Sequence, residues 1–330
     1  MAKRQMERHF YSRTKENNTI ETMKTSVTKT YIILSLMLFA WQIAYSQDDV
    51  ITLRMMTYNI RHGAGQDNVV DLDRQATLIQ KGSPDVIGLQ EVDSCVKRSG
   101  YIPEAALLAE KLGMHSTFGG AIPLTGGKYG VAILSKEVPL AVYHLPLPGE
   151  EKRTLLVCEF QDYVFATTHL DLNDSCRQAS LPIILEEANR HDKPFFICGD
   201  WNDKPTDPFI KEMKKQGFLI LNNITESANN YTFPARNPNC IIDYIASYGK
   251  RYKSIMSRNV IADTQASDHR PVLVAIRLQS YATGLGEVKN ENQTNVIYDL
   301  QGREVASAKM RSDKCLKGIY IQAGHKRLMK

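Results

Sequence analysis

The hexapeptide Ser267-Asp268-His269-Arg270-Pro271-Val272 sets a carboxylate beside an imidazole, directly ahead of an apolar run. Such a pair can hold a metal ion, move a proton or bind an anion, and alone it selects none of these. Five more polar groups end or interrupt apolar runs upstream. They are Thr57-Tyr58-Asn59, Leu89-Gln90-Glu91-Val92-Asp93, Thr167-Thr168-His169-Leu170-Asp171, Gly199-Asp200-Trp201-Asn202-Asp203 and Ile242-Asp243-Tyr244-Ile245. Singly, each has a plainer reading. Glu91 fits an exposed strand end, Asn59 and Asn202 fit turns, and His169 fits a satisfied structural histidine. Jointly, six runs that end in such residues predict one polar site at the open edge of a sheet.

The residue types define the chemistry open to that site. Carboxylates and side-chain amides are hard oxygen donors that suit Mg²⁺, with Mn²⁺ as the alternative, and such ions retain several waters. Two histidines add proton transfer or hydrogen bonding to a phosphoryl oxygen. Arg98 and Arg177 are candidate contacts for a substrate phosphate, against the plainer reading of each as a solvated surface charge. No P-loop, Gly-x-Ser-x-Gly elbow or dinucleotide fingerprint competes for the assignment.

Short apolar runs and a few helical stretches must carry these residues. Strands are predicted at 51–59, 85–89, 130–135, 139–145, 154–160, 163–168, 194–198, 218–221, 241–247 and 272–278. Helices are predicted over 72–81, 103–112, 174–190 (despite Pro182) and 207–216. Strands often follow one another without an intervening helix. The α/β pattern therefore favours mixed or antiparallel sheets with helices outside over a doubly wound parallel sheet.

Three segments are expected: an N-terminal extension and signal peptide (1–46), a catalytic domain (47–279), and a linker with a small β appendix (280–330). Lys24 and Lys29 lead into the apolar run Tyr31–Trp41, and Ala44 and Ser46 suit a cut before Gln47. The apolar core of about 11 residues falls short of the ~20 that span a bilayer. Residues 1–22 are unlike a signal, and Met23 is a natural start. The expected location is therefore the periplasm, the cell surface or the exterior. Residues 280–295 read as a linker, 296–303 as a strand with a turn, and 318–321 as a second strand.

The net charge of +5 sits at the chain ends. Residues 47–279 hold 25 basic and 28 acidic residues, a net of −3. Stable binding to duplex nucleic acid needs a cationic face, so none is expected. The expected partner is a phosphate-ester substrate, and the expected state is a monomer. Six cysteines form no CxxC pair, which argues against a zinc site. Cys158 and Cys198 lie in apolar runs and are predicted to be buried thiols.

The ordered series Tyr58-Asn59, Gln90-Glu91, Tyr129-Gly130-Val131-Ala132-Ile133-Leu134-Ser135, Thr168-His169-Leu170, Gly199-Asp200-Trp201-Asn202, Asp243-Tyr244 and Ser267-Asp268-His269-Arg270-Pro271 resembles the endonuclease/exonuclease/phosphatase superfamily. That superfamily includes DNase I-like nucleases, neutral sphingomyelinases, inositol polyphosphate 5-phosphatases and deadenylases. The resemblance covers about residues 51–278 and is nearest to secreted bacterial metal-dependent hydrolases. It implies a four-layer α/β sandwich of two mixed sheets packed face to face. It also implies roles. Glu91 would be the principal metal ligand, with Asn59 nearby and Asp268 a further ligand. His269, oriented by Asp243, would pair with the scissile phosphate or act as general base. Asp200 and Asn202 would position water and phosphate, and His169 would hydrogen-bond the phosphate. The tail residues Ile297–Arg303 and Lys317–Ile321 resemble short C-terminal sorting domains of secreted Bacteroidetes proteins, which implies delivery through secretion or envelope machinery.

Two function classes compete. One is a secreted Mg²⁺-dependent phosphoesterase that attacks a phosphodiester or phosphomonoester with water in line. The other is a catalytically silent phosphate-ligand binder or structural envelope protein on the same fold. The simultaneous presence of Glu91, His169, Asp200, Asn202, Asp268 and His269 favours the enzyme.

Overall fold

The computed structural model describes residues 50–280 and the strand residues 297–298, 304–306, 318–322 and 325–329. The predicted extension and signal (1–46), the predicted linker beyond Ser280 and Cys315 lie outside the described residues. Two units divide the chain, Met1–Thr283 and Gly284–Lys330.

The first unit opens with β1 (Val50–Asn59), α1 (Leu72–Gly82), β2 (Val86–Ser94), α2 (Glu104–Leu112), β3 (His115–Leu124) and β4 (Gly127–Ser135). It continues with β5 (Ala141–Leu147), β6 (Arg153–Glu159), β7 (Val164–His169), α3 (Asp174–Arg190) and β8 (Phe195–Asp200). It closes with α4 (Pro208–Lys215), β9 (Phe218–Ile220), β10 (Asp243–Tyr248), β11 (Ser254–Val260) and β12 (Val272–Gln279). One six-stranded sheet has the order β11-β12-β1-β2-β4-β3, and the other has β5-β6-β7-β8-β10-β9. Each sheet contains a single parallel pair, β1–β2 and β7–β8, and the remaining pairs are antiparallel. A parallel pair needs a crossover, and α1 and α3 supply the two.

Strand alternation builds the layers. Met55, Val86, Ile133 and Val274 from the first sheet meet Leu156, Phe165, Phe196 and Ile245 from the second in a central core. Their neighbours Met56, Ile87, Leu134 and Leu273 face outward onto Leu72, Ile79 and Leu108 of α1 and α2. On the other side, Leu155, Ala166, Phe195 and Ile197 face Leu181, Ile184, Phe209 and Met213 of α3 and α4. Three cores separate four layers, so the fold is the four-layer α/β sandwich that the resemblance implies. Cys158 and Cys198 are buried free thiols, and burial holds each up to about 12.

The structure adds two strands to those predicted, β3 and β11, which are the outer strands of the first sheet. It also extends the predicted 85–89 strand to Ser94 through a bulge between Leu89 and Val92. In the second unit, β13 (Ile297–Tyr298), β14 (Glu304–Ala306), β15 (Gly318–Gln322) and β16 (His325–Met329) form an antiparallel sheet of order β14-β13-β15-β16. Ile297–Tyr298 falls within the predicted 296–303 strand, Gly318–Gln322 matches the predicted 318–321 strand, and Glu304–Ala306 and His325–Met329 are strands beyond those predicted.

Gly199 shows how tightly the second parallel pair is built. It pairs with Thr168 at φ 153°, and a Cβ there would lie 1.9 Å from the Thr168 carbonyl oxygen. Backbone cannot yield as a side-chain tip can. We expect Gly199→Ala to destabilise the protein by about 3 kcal/mol. Urea unfolding measures this, and a loss below about 1 kcal/mol would contradict the packing argument.

Candidate active site

The C-terminal ends of the two parallel pairs point to the same edge of the sandwich. Asn59 ends β1, Glu91 lies near the end of β2, His169 ends β7 and Asp200 ends β8. Glu91 reaches this edge through the β2 bulge, where its φ is +56°. A bulge re-aims one side chain at a local conformational cost. Gln90 turns the other way and is fully buried, hydrogen-bonding Thr57 at 3.3 Å and the Thr167 hydroxyl at 2.9 Å. Other positive-φ residues, Arg61, His62 and Asn202, border the same edge.

Asn59 lies at the centre. Its amide nitrogen donates to Glu91 Oε1 at 3.0 Å and to Asp200 Oδ2 at 3.1 Å. Its side-chain oxygen accepts the Arg61 N–H at 3.0 Å. In this geometry Asn59 organises two carboxylates, and its side-chain oxygen faces the Arg61 backbone. Ser267 ties the hexapeptide to the same strand end, its hydroxyl donating to the Asn59 carbonyl at 2.8 Å.

The two histidines flank Asp200, each with Nε2 3.5 Å from Oδ2. They differ in protonation. Burial lowers the His169 pKa to about 4, opposed by Asp200 and reinforced by Arg153 and His269. His169 is thus neutral at pH 7. Asn202 donates to the Leu170 carbonyl at 2.9 Å and lies 3.1 Å from His169 Nε2. That nitrogen then accepts, and the ring proton sits on Nδ1. Burial would also lower His269, but Asp243 and Asp200, with Asp268, outweigh it and raise the imidazole to about 10. Asp243 meets His269 Nδ1 with both oxygens, at 3.0 and 3.2 Å. The Thr232 hydroxyl lies 3.4 Å from the Asp243 backbone nitrogen, and the Phe233 ring packs 4.7 Å from the His269 ring.

A model of the endonuclease/exonuclease/phosphatase family matches residues 56–269. The chain belongs to that family. Its relatives include phosphatases and nucleases, and they are typically dependent on a divalent metal. A family protein from Beutenbergia cavernae DSM 12333 has 23% identity, with 69% of this chain and 72% of that one covered at a TM-score of 0.60. A mannosyl-6-phosphatase from Bacteroides thetaiotaomicron VPI-5482 has 17% identity over 68% and 99%, with a TM-score of 0.56. ANGEL2, a 2',3'-cyclic phosphatase, has 18% identity over 69% and 96%, with a TM-score of 0.52. No curated protein sequence matches the chain.

The family's divalent ion can be tested against the donor set. Burial raises the Glu91 carboxyl, the Asn59 hydrogen bond opposes this, and Asp268 and Asp200 push it further up. Asn59 is its one hydrogen-bond partner shown. Asp268 is 32% exposed and 3.7 Å from Arg61. Carboxylates that repel one another with spare lone pairs fit a hard divalent cation, and Glu91 and Asp268 are the residues that would hold it. Asp200, Asp243 and His269 also cluster, their ligand atoms all within 4.8 Å of one another. Both His269 nitrogens there face carboxylates, which orders a proton-bearing ring instead of an ion ligand.

The two arginines are placed differently. Arg98 forms a bidentate pair with buried Asp93 at 2.8 and 2.9 Å and lies over the Tyr129 ring at 5.3 Å. It remains 41% exposed near Glu91. Arg177 is not at the surface, which corrects its reading as either a solvated charge or a phosphate contact. It is buried and bonds the Asp171 and Leu172 carbonyls and Asp203 Oδ1, at 2.7 to 3.1 Å, tying the loops after β7 and β8. Arg153 was not singled out in the sequence; a basic residue heading the apolar run Thr154–Phe160 was its available signal. Glu104, also missed, accepts the Asp93 N–H at 2.8 Å and supports the far end of β2.

The His269 pair makes a pH-dependent contribution to stability. Its folded pKa, about 10, lies above the ordinary 6.5. The contribution is therefore complete below pH 6.5 and is lost as pH rises toward 10. In chelator-treated protein, we expect the melting-temperature advantage over His269→Asn to shrink across that range. A pH-independent difference would mean that the ring is neutral.

Proposed function

We propose that this protein is a metal-dependent phosphoric ester hydrolase of small phosphomonoesters or phosphodiesters. The observation that carries the reading is the Asn59 amide bridging Glu91 and Asp200, with a charged imidazole on the far side of Asp200. A cation-binding carboxylate and a proton-transfer group then meet at one edge. Glu91 and Asp268 would hold Mg²⁺, or Mn²⁺ in its place. When bound, the ion supplies charge neutralisation to the phosphoryl oxygens.

The remaining steps belong to the chain. His269, kept as imidazolium by Asp243, offers positive charge and an N–H to the phosphate. Asp200, with Oδ2 3.5 Å from each imidazole, is the carboxylate in reach to accept the water proton. The water oxygen forms the new P–O bond as the ester P–O bond breaks. The leaving oxygen takes its proton from His269. Asn202 and His169 orient the phosphate. The named activities of the similar structures, on a mannosyl 6-phosphate and on a 2',3'-cyclic phosphate, support both ester types as candidates.

We also read the protein as exported and monomeric. The export reading rests on Lys24, Lys29 and the apolar run Tyr31–Trp41, with the tail resembling a sorting segment.

Hydrolysis of p-nitrophenyl phosphate and bis-p-nitrophenyl phosphate, with Mg²⁺ and after chelation, tests the reaction class. Glu91→Gln preserves size and removes the charge that holds the ion. We expect turnover to fall by roughly two orders of magnitude or more. Near-normal Mg²⁺-dependent turnover in that variant would remove Glu91 from the mechanism. The net charge of −3 over residues 47–279 further leads us to expect small esters to outpace plasmid DNA. Efficient plasmid degradation at physiological salt would contradict this.

A further inference from the structure

A cavity of about 520 Å³ lies between β3 of the first sheet and the β5–β6 hairpin of the second. His144, Lys152 and Arg153 line it. Lys128 adjoins it from β4, with its side chain against the lining residue Gly120 and its charge acting on His144. Lys128 and Lys152 are exposed and form no ion pair among the described residues. This cationic grouping stands out in a domain whose net charge is negative and whose catalytic edge is rich in carboxylates.

The cavity adjoins the candidate active site through Arg153. In the β6–β7 register, Leu155 pairs with Thr168, which sets Arg153 beside the residues just past His169. Its charge acts on the His169 ring, and on the Tyr129 phenol that also senses Glu91. Arg153 is buried, 9% exposed, and its Nη1 is 3.0 Å from Glu151. Its Nε is 3.7 Å from Asp171 and has no hydrogen-bond acceptor. The guanidinium is thus held at the cavity wall between two carboxylates, with its Nε buried and without an acceptor. His144, whose pKa is lowered by burial and by Lys128, is a neutral hydrogen-bond donor in the same wall.

We propose that this cavity is a second anion subsite, which takes a phosphate or comparable anionic group carried by the substrate apart from its scissile phosphate. The favoured substrate class is then a small polyol or sugar ester with two anionic groups. The inference rests on the phosphohydrolase reading for the identity of the first site. Its own content is the preference for the second charge. A cationic subsite set apart from the catalytic edge raises local anion concentration and fixes which ester oxygen reaches that edge.

The test uses the full-length Asp200→Asn protein with Mg²⁺, which removes the proposed proton acceptor, keeps Glu91 and Asp268, and lets ligands persist. Calorimetry would compare fructose 1,6-bisphosphate with fructose 6-phosphate, and myo-inositol 1,4-bisphosphate with inositol 1-phosphate, which covers two phosphate spacings. We expect at least one bisphosphate to bind about ten-fold more tightly than its monophosphate. Adding Lys128→Met and Lys152→Met should bring that ratio below about two, and raised KCl should narrow it. Both lysines are exposed, and melting curves would verify folding. Equal binding of both members of each pair would overturn the proposal, as would a preference that survives the double lysine substitution. Turnover by the native protein is read separately. If no ester is hydrolysed while the lysine-dependent preference persists, the hydrolase reading fails and the subsite stands.

Discussion

A pair of hydrogen bonds across the sandwich governs the candidate site. Asn59, from the first sheet, holds Asp200 of the second, and Gln90, also from the first, holds the Thr167 hydroxyl of the second. The central core between the sheets is apolar, and apolar contacts fix separation but tolerate sliding. Hydrogen bonds are directional and fix register as well. Losing one partner would strand a buried polar group at a cost of roughly 1–3 kcal/mol. Gly88 permits the close approach nearby, since a Cβ there would lie 2.2 Å from Cys198 Sγ. The position of Glu91 relative to Asp200 is therefore set by interactions beneath the site as much as by those within it.

That register lets one carboxylate face two imidazoles with opposite charge states. His169 and His269 are equally distant from Asp200 Oδ2, yet one is neutral and the other is protonated. The difference comes from their other neighbours. His269 has Asp243 against Nδ1, whereas His169 has the Asn202 amide and the field of Arg153. An acid and a hydrogen-bond acceptor are thus obtained from the same residue type within one small volume.

Much of this was legible because the reactive residues stand where apolar runs stop. Asn59, His169 and Asp200 each close a strand in which alternate residues face two cores, and such runs are visible in sequence. What was not legible follows from the same physics. β3 and β11 are edge strands with few buried positions, so no apolar alternation marks them. The Glu91 bulge leaves no compositional trace because the extra residue is an ordinary Glu at positive φ. Arg177 misled for a related reason. Its charge suggested exposure, but carbonyls and Asp203 satisfy it inside the protein. Side-chain partners that are distant in sequence are set by the tertiary fold alone.

The first sheet closes on itself late. β1 lies between β2 and β12, and the Ser267 hydroxyl reaches the Asn59 carbonyl across 208 positions of sequence. Pairings of such separation form slowly and only once both partners have been synthesised. A nascent chain emerging N-terminus first therefore holds β1 without one of its two neighbours, and Asn59 and Asp200 without His269, until nearly the whole domain is available. Truncated translation products would lack both the completed sheet and the charged imidazole. Assembly of the reactive edge is thereby tied to synthesis of the chain through β12.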